Sequence, residues 1–299
     1  DGSMIMWYRG NEVNGEVTYQ SGQVTDYDGS YYYMPDWKPD GSLLAYVDDA
    51  GTILVKDRFQ GSTPEAVLGD MMASSPAWSP DGRQLAFAYD VFDPGIERTR
   101  RLIAIATVEG STIQVTEMEW FSQYATELGR ASLDHPTWSP DGRYLAFAAV
   151  DSLDNFTSDL VILDTELWSA DQHSPGPFVS APDWSPLLDQ GERSLIAFAG
   201  AESQGGPTGI YLYDPSDGAL TQLTAPDEFG EQKNPDWAPN GQRLVYEGCA
   251  DGLCNELWIT GLDPEKTVPY LAVTFTWGSE SRPAWGRPVW TPPLFEETF

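Results

Sequence analysis

Three aspartates occupy the same position of a repeated Pro-x-Trp segment, and carboxylates at equivalent positions are what a cation site requires. Asp36, Asp183 and Asp236 each stand between a Pro and a Trp. Equivalent positions of a repeat array lie at similar heights around its axis, so the three side chains can converge on one ion. The alternative is that each carboxylate accepts hydrogen bonds from backbone amides of its own turn or of the next repeat. The sequence favours this second interpretation.

A second acidic segment offers oxygen ligands suited to calcium. Asp151, Asp154, Asn155 and Asp159 are predicted to lie in the loop between the second and third strands of one repeat. Their order differs from the Asp-x-Asp-x-Asp-Gly pattern of a calcium-binding hand. We therefore favour a solvated acidic loop and predict no cofactor, with calcium as the alternative.

The sequence gives little support for nucleophilic catalysis. A serine hydrolase of the Gly-x-Ser-x-Gly type needs that string, and the nearest segment, Gly278-Ser279-Glu280-Ser281, lacks the second Gly. The only histidines are His135 and His173. His135 directly precedes a Pro-x-Trp segment and is predicted near a channel mouth, as a polar lining residue or a general base. His173 is predicted in a loop. We predict that the chain is not an enzyme and has no histidine-based metal centre.

Two long insertions carry the residues best suited to recognition. Residues 89–101 contain Arg98, Arg100 and Arg101, a cluster of arginines in an acidic chain. Residues 117–134 contain Trp120, Phe121 and Tyr124, predicted on a short helix. Arginines and aromatic residues are typical of binding surfaces. The alternative is that the helix packs onto the fold and that the arginines neutralise neighbouring carboxylates.

These residues must be positioned by an internal repeat that covers the chain. The Pro-x-Trp segments end at Trp37, Trp78, Trp138, Trp184, Trp237 and Trp285, with separations of 41, 60, 46, 53 and 48 residues. This spacing is typical of four-stranded propeller blades. In each repeat a turn such as Ser-Pro-Asp-Gly follows the Trp and leads into an apolar run, as expected of a strand covered on both faces.

The two ends of the chain are predicted to complete one another. The segments at 4–8 and 16–19 resemble the third and fourth strands of a repeat, and the segment after Pro283 resembles an inner strand. Joined, they form one blade and remove an open sheet edge. We therefore predict an all-β fold: a single domain, residues 1–299, forming a six-bladed β-propeller with four antiparallel strands per blade. The N- and C-terminal strands share the closing blade.

The repeats resemble a known family. Pro-Ala-Trp-Ser-Pro-Asp-Gly-Arg at 76–83 and Pro-Thr-Trp-Ser-Pro-Asp-Gly-Arg at 136–143 resemble the WD-like repeats of TolB-like six-bladed β-propellers. Such propellers occur in periplasmic TolB and in the non-catalytic part of prolyl-oligopeptidase-like peptidases. The resemblance implies the fold and a scaffold motif that carries no catalytic residue.

Charge and cysteines limit the partners and the compartment. The net charge of −30 argues against nucleic acid and anionic membranes, and no apolar stretch is long enough to span a membrane. An Asp-Gly turn separates Cys249 from Cys254. It predicts a hairpin that brings both sulfurs within bridging distance. We predict a disulfide, and with it an extracellular, cell-surface or periplasmic protein; two free thiols or a lone metal-binding pair are the alternatives.

Two classes of function fit these observations. The first is a non-catalytic module of the cell envelope or exterior that binds a protein, peptide or glycan through the face carrying the two insertions. The second is an enzyme, either a lyase or hydrolase that uses carboxylates at the channel mouth or the propeller half of a prolyl-oligopeptidase-like peptidase. The missing catalytic signatures favour the first class.

Overall fold

The computed structural model describes most of the chain. The described residues are 6–13, 16–23, 32–57, 65–68, 72–94, 97–109, 112–115, 131–151, 158–176, 178–187, 193–202, 206–224, 230–250, 253–262, 271–272 and 283–284. Every regular element in these ranges is a β-strand. No helix in them is long and apolar enough to cross a membrane.

The strands of the described ranges form five four-stranded sheets and one two-stranded sheet, all antiparallel and each built from consecutive strands. The two-stranded sheet consists of β1 (Met6–Val13) and β2 (Glu16–Gln23). The first four-stranded sheet consists of β3 (Tyr32–Trp37), β4 (Leu43–Asp48), β5 (Ile53–Asp57) and β6 (Glu65–Leu68). The second consists of β7 (Ala73–Trp78), β8 (Gln84–Asp93), β9 (Arg98–Glu109) and β10 (Thr112–Val115).

The remaining sheets have the same strand order. The third consists of β11 (Ala131–Trp138), β12 (Tyr144–Asp151), β13 (Ser158–Asp164) and β14 (Ser169–His173). The fourth consists of β15 (Phe178–Trp184), β16 (Ile196–Ala201), β17 (Gly209–Tyr213) and β18 (Leu220–Gln222). The fifth consists of β19 (Gln232–Trp237), β20 (Arg243–Ala250), β21 (Leu253–Gly261) and β22 (Leu271–Ala272).

The five four-stranded sheets pack face to face, in chain order, around a common axis. The first strands β3, β7, β11, β15 and β19 each contact the next in this order, so they are the inner strands. Apolar side chains of neighbouring sheets fill the space between them: Trp184 packs with Ala146 and Leu160 of the preceding sheet. The predicted apolar runs of the second strands are buried, as in Leu44 to Val47 and Leu85 to Tyr89. The fold is an all-β propeller, as the sequence predicted.

In the described residues, the turn after Trp37, Trp78, Trp138 and Trp237 has the predicted geometry. The amide of Gly82 donates to the carbonyl of Ser79 at 2.8 Å, and that of Gly142 donates to the carbonyl of Ser139 at 2.9 Å. Both glycines have positive φ, 67° and 74°, which favours a residue without a side chain. In these four repeats the turn therefore follows a Trp that ends its inner strand, and it leads into the buried second strand.

Three local predictions were wrong. The insertion at 89–101 is mostly regular strand, because β8 and β9 continue as a paired hairpin up to Asp93 opposite Arg98. His173 ends strand β14 and does not lie in a loop, and its Nδ1 lies 2.8 Å from the hydroxyl of Tyr213 in the next sheet. Asp159 lies in β13, where its carboxylate accepts hydrogen bonds from Gln172 and Ser174. In each case cross-strand pairing extended a strand through residues that look like loop formers.

The cysteine hairpin has the predicted register. β20 and β21 pair so that Cys249 lies directly opposite Cys254. The sulfur atoms lie outside what the structure describes, and the disulfide therefore stays a prediction.

Candidate functional site

The inner strands surround a cavity of about 230 Å³ on the axis. Its wall contains the prolines of all six Pro-x-Trp segments, namely Pro35, Pro76, Pro136, Pro182, Pro235 and Pro283. It also contains the residue before the proline in five of them and the aspartates Asp36, Asp183 and Asp236. The described residues therefore bring the Pro-x-Trp segments of the repeat together around one cavity.

Each inner strand is bulged where it lines this cavity. The pairing register shifts between Tyr33 and Asp36 in β3, and the same shift occurs at the equivalent position in β7, β11, β15 and β19. At the bulge the residue before the proline has positive φ, between 46° and 53°. These five residues are Met34, Ser75, His135, Ala181 and Asn234. We call them the bulge ring.

The bulge explains why these side chains line the cavity. A β-bulge interrupts the alternation of a strand and redirects one side chain. The following proline disfavours the right-handed helical region for the residue before it and cannot donate to the sheet, so the local sequence supports the interruption. Positive φ costs a residue other than glycine about 1 kcal/mol or more. The repeat retains this backbone conformation at five described positions, but the side chain differs at each of them. A constant backbone with different side chains is typical of a binding site.

The predicted carboxylates join neighbouring sheets. Oδ2 of Asp36 accepts the backbone N–H of Trp78 at 2.6 Å, and Oδ2 of Asp183 accepts that of Trp237 at 2.8 Å. Between the third and fourth sheets Thr137 takes this role, because its hydroxyl oxygen accepts the backbone N–H of Trp184 at 2.9 Å. The geometry of Asp36 and Asp183 thus matches the structural interpretation of the repeated aspartates, in which each carboxylate bonds an amide of the next repeat.

Two tryptophan indoles add further hydrogen bonds between neighbouring sheets. The indole N–H of Trp138 donates to the carbonyl oxygen of Ala77 at 3.2 Å, and that of Trp237 donates to the carbonyl oxygen of Asp183 at 3.1 Å. Trp78, Trp138, Trp184 and Trp237 are buried. They fill the wedge between sheets, and in each of these hydrogen bonds a Trp of one sheet donates to the inner strand of the preceding sheet.

The two described carboxylates at these junctions have strongly raised pKa values. Burial raises the pKa of Asp36 to about 7, against the opposing hydrogen bond from Trp78 and with a further contribution from the charge of Asp183. Burial likewise raises the pKa of Asp183 to about 6, although the amide of Trp237 and the hydroxyl of Thr137 favour its ionised form. The negative charge of the cavity wall therefore changes across the neutral pH range.

The predicted arginines form ion pairs in the β8–β9 hairpin. Nε of Arg100 lies 3.0 Å from Oδ2 of Asp93, and the Arg100 side chain is buried. Nε of Arg101 donates to Oδ1 of Asp90 at 3.0 Å, and Nη1 donates to Oδ2 of Asp134 at 2.5 Å. These contacts match the alternative in which the arginines neutralise neighbouring carboxylates. The Arg98 side chain lies outside the described residues.

The other predicted site residues lie partly beyond the described ranges. Trp120, Phe121 and Tyr124, with the predicted helix, lie outside them, as do Asp154 and Asn155 and the side chain of Asp151. Within the ranges that are described, no group of three or more acidic, histidine or cysteine side chains has the geometry of a metal site.

Sequence reasoning placed His135 at the channel and missed the rest of the bulge ring. Met34, Ser75, Ala181 and Asn234 are chemically unrelated, so residue type gives no signal. The signal that identifies them is positional, because each directly precedes the proline of a repeat.

Comparison with known proteins supports the fold. No protein-family model matches the chain. The chain superposes over 88% of its length on 87% of the TolB structure from Agrobacterium tumefaciens, with a TM-score of 0.63 and 18% identity. It superposes over 89% of its length on 60% of the TolB structure from Acinetobacter baumannii, with a TM-score of 0.66 and 19% identity. These structural neighbours identify a TolB-like β-propeller fold.

Among curated proteins the chain is similar to a peptidase. It is 25% identical over 245 residues to dipeptidyl-peptidase 5 of Trichophyton schoenleinii, an alignment that covers 76% of this chain and 30% of that protein. The chain thus spans less than a third of the length of this relative.

Proposed function

We propose that the chain is a non-catalytic binding module of the cell envelope or exterior, and that it recognises a peptide segment of a partner protein at the axial cavity. The observation that carries the proposal is the bulge ring, in which a constant strained backbone presents five different side chains to one cavity. Strained, bulged backbone concentrates at functional sites. The TolB-like fold supports a binding role.

The size and lining of the cavity favour part of a larger partner. Pockets for whole small molecules have volumes of about 300–1,000 Å³, and this cavity holds about 230 Å³. One or two amino-acid side chains fit this space. The lining combines proline, tryptophan and methionine with a few polar groups, which suits a peptide better than a glycan.

The proposal includes a closed ring of six blades in one domain. Pro283 of the sixth repeat lines the cavity beside the five other repeat prolines, which supports the sixth blade. In this proposal the paired strands β1 and β2 are two strands of that blade. Closure would place the cavity at the centre of a continuous face that also carries the β8–β9 hairpin.

A blocked cavity tests the proposed function. Ala181→Trp adds a large side chain at the bulge ring, and Leu220→Trp adds the same group at an exposed position of the outer strand β18. Peptides selected from a displayed random library against the wild-type chain are expected to lose at least about tenfold in affinity for Ala181→Trp, an effect of about 1.4 kcal/mol. Fluorescence polarisation measures both affinities.

The Leu220→Trp control is expected to keep the wild-type affinity. Equal binding by Ala181→Trp and the wild type would show that recognition occurs elsewhere. Selection of glycans but no peptides from parallel arrays would also contradict the peptide proposal.

The similarity to dipeptidyl-peptidase 5 supports one alternative, in which the chain is the propeller part of a larger peptidase. A Gly-x-Ser-x-Gly segment encoded beside this chain in its gene would favour that alternative. A further binding domain or an anchor there would favour the module.

The proposed location predicts a bond between Cys249 and Cys254. The two residues are cross-strand neighbours, the arrangement in which a short bridge can form. Protein isolated from an oxidising compartment is expected to contain no free thiol under denaturing conditions, and reduction is expected to raise its mass by two hydrogen atoms. Intact-mass spectrometry before and after reduction measures this. Two reactive thiols in the isolated protein would contradict the prediction.

A further inference from the structure

A chain of charges connects the β8–β9 hairpin to the cavity wall. The guanidinium of Arg101 in β9 bridges two carboxylates on different sheets, with Asp90 at 3.0 Å and Asp134 at 2.5 Å. The backbone N–H of Arg101 also donates to the hydroxyl of Ser132 at 3.0 Å, which fixes β9 against β11. Asp134 immediately precedes His135, a member of the bulge ring.

Asp134 holds two neighbouring members of that ring. Its Oδ1 accepts the backbone N–H of His135 at 2.9 Å and the hydroxyl of Ser75 at 3.1 Å. The same oxygen lies 3.6 Å from Nδ1 of the His135 imidazole. Burial opposes ionisation of Asp134, but the charges of His135 and Arg101 lower its pKa below the usual value. Asp134 is therefore an anion fixed between Arg101 and the imidazole.

His135 is the one basic side chain among the described residues that line the cavity. The acidic side chains on the same wall are Asp36, Asp183 and Asp236, from β3, β15 and β19. Behind His135 stand Asp134 on its own strand, Arg101 from β9 and Asp90 from β8. The protonation state of this imidazole therefore decides whether His135 gives the cavity wall at β11 a positive charge.

We propose that Arg101 is a positioning residue of the axial cavity, which acts through Asp134 to hold the His135 imidazole and to limit the negative field it experiences. The biological meaning of this inference rests on the proposed function. If the cavity binds a peptide, the charge of the recognition site depends on pH through His135. Arg101 itself is absent from the cavity wall described here. Its effect on a ligand is transmitted through His135.

The two histidines of the chain allow a direct test. Side-chain NMR titration of the full chain without ligand reports His135, with His173 in β14 as an internal reference. Arg101→Met removes the guanidinium charge and leaves Asp134 uncompensated, so the pKa of His135 is expected to rise by about 0.5–1 unit. Asp134→Asn is expected to lower it by a similar amount. His173 is expected to titrate as in the wild type.

Arg143→Met is the matched control. Arg143 pairs with Asp164 at 2.7 Å in the third sheet, outside the cavity, so its loss is expected to leave the His135 titration unchanged. If Arg101→Met does not fold, Arg101→Lys keeps the charge without the bridge between two carboxylates, and a smaller rise is expected. A His135 titration that is unchanged in the folded Arg101 variants would overturn the inference. Because no ligand is present, this failure is distinct from a failure of the peptide-binding test.

Discussion

Replacing Asp36 by Asn is expected to raise the free energy of unfolding at about pH 8 by roughly 2–4 kcal/mol and to change it little at about pH 4. In the wild type the carboxylate of Asp36 accepts the backbone N–H of Trp78 at 2.6 Å. Asn keeps an oxygen that can accept this hydrogen bond, and it removes the negative charge. Urea denaturation at several pH values measures the difference.

The sign follows from the direction of the pKa shift. Burial raises the pKa of Asp36 from 3.8 to about 7, so the folded state binds more protons than the unfolded state between these values. The contribution of Asp36 to stability is therefore present at low pH and is lost as the pH rises through about 7. We expect a gain near the lower end of the range of about 2–4 kcal/mol. The carboxylate borders the cavity, and solvent there reduces the free-energy cost of burying its charge.

Asp40→Asn provides the control for this experiment. Asp40 is exposed on the turn after Trp37, where slight desolvation opposes its ionisation but hydrogen bonds from Ser42 lower its pKa. Its replacement is expected to bring no gain in stability at about pH 8. A lower free energy of unfolding for Asp36→Asn than for the wild type at that pH would show that the charge of Asp36 stabilises the fold.

Replacing Asp183 by Ala is expected to lower the free energy of unfolding by about 2–4 kcal/mol at about pH 5. The substitution removes the acceptor of the Trp237 N–H at 2.8 Å and of the Thr137 hydroxyl at 3.2 Å. A buried amide without a partner costs about 1–3 kcal/mol, and the lost side-chain volume adds to this. The same urea titrations measure the loss.

Asp183→Asn separates the acceptor from the charge. Asn retains one oxygen for the Trp237 N–H and has nearly the same volume, so it is expected to lose less than half as much stability as Ala at the same pH. Equal losses for both variants would mean that the hydrogen bond from the Trp237 N–H does not stabilise this junction.

The parts of the fold that depend on neighbouring residues were predicted from the sequence. The Pro-Asp-Gly turns, the apolar second strands and the Trp at the end of each inner strand all appear as expected, because turn geometry and strand patterning act over a few residues. The extent of the β8–β9 hairpin and the strand at His173 were missed, because pairing with a neighbouring strand decided them.

The candidate site was likewise predicted only in part from the sequence. The prolines that mark the bulges were visible, and His135 was placed near the axis from its position before one of them. The bulge itself was not visible, because a register shift is a relation between two strands. The role of Arg101 was also hidden, since it pairs with Asp134, a residue 33 positions away in the next sheet.

The sequence alone determined the repeat, the kind of strand in each part of it and the acidity of the chain, since these follow from local spacing and composition. Only the tertiary structure decided what the repeated aspartates do and which side chains meet at the axis. Asp36 bonds a residue 42 positions later and Asp183 one 54 positions later. Such contacts form only when separate blades pack against each other around one cavity, and no local pattern specifies their geometry.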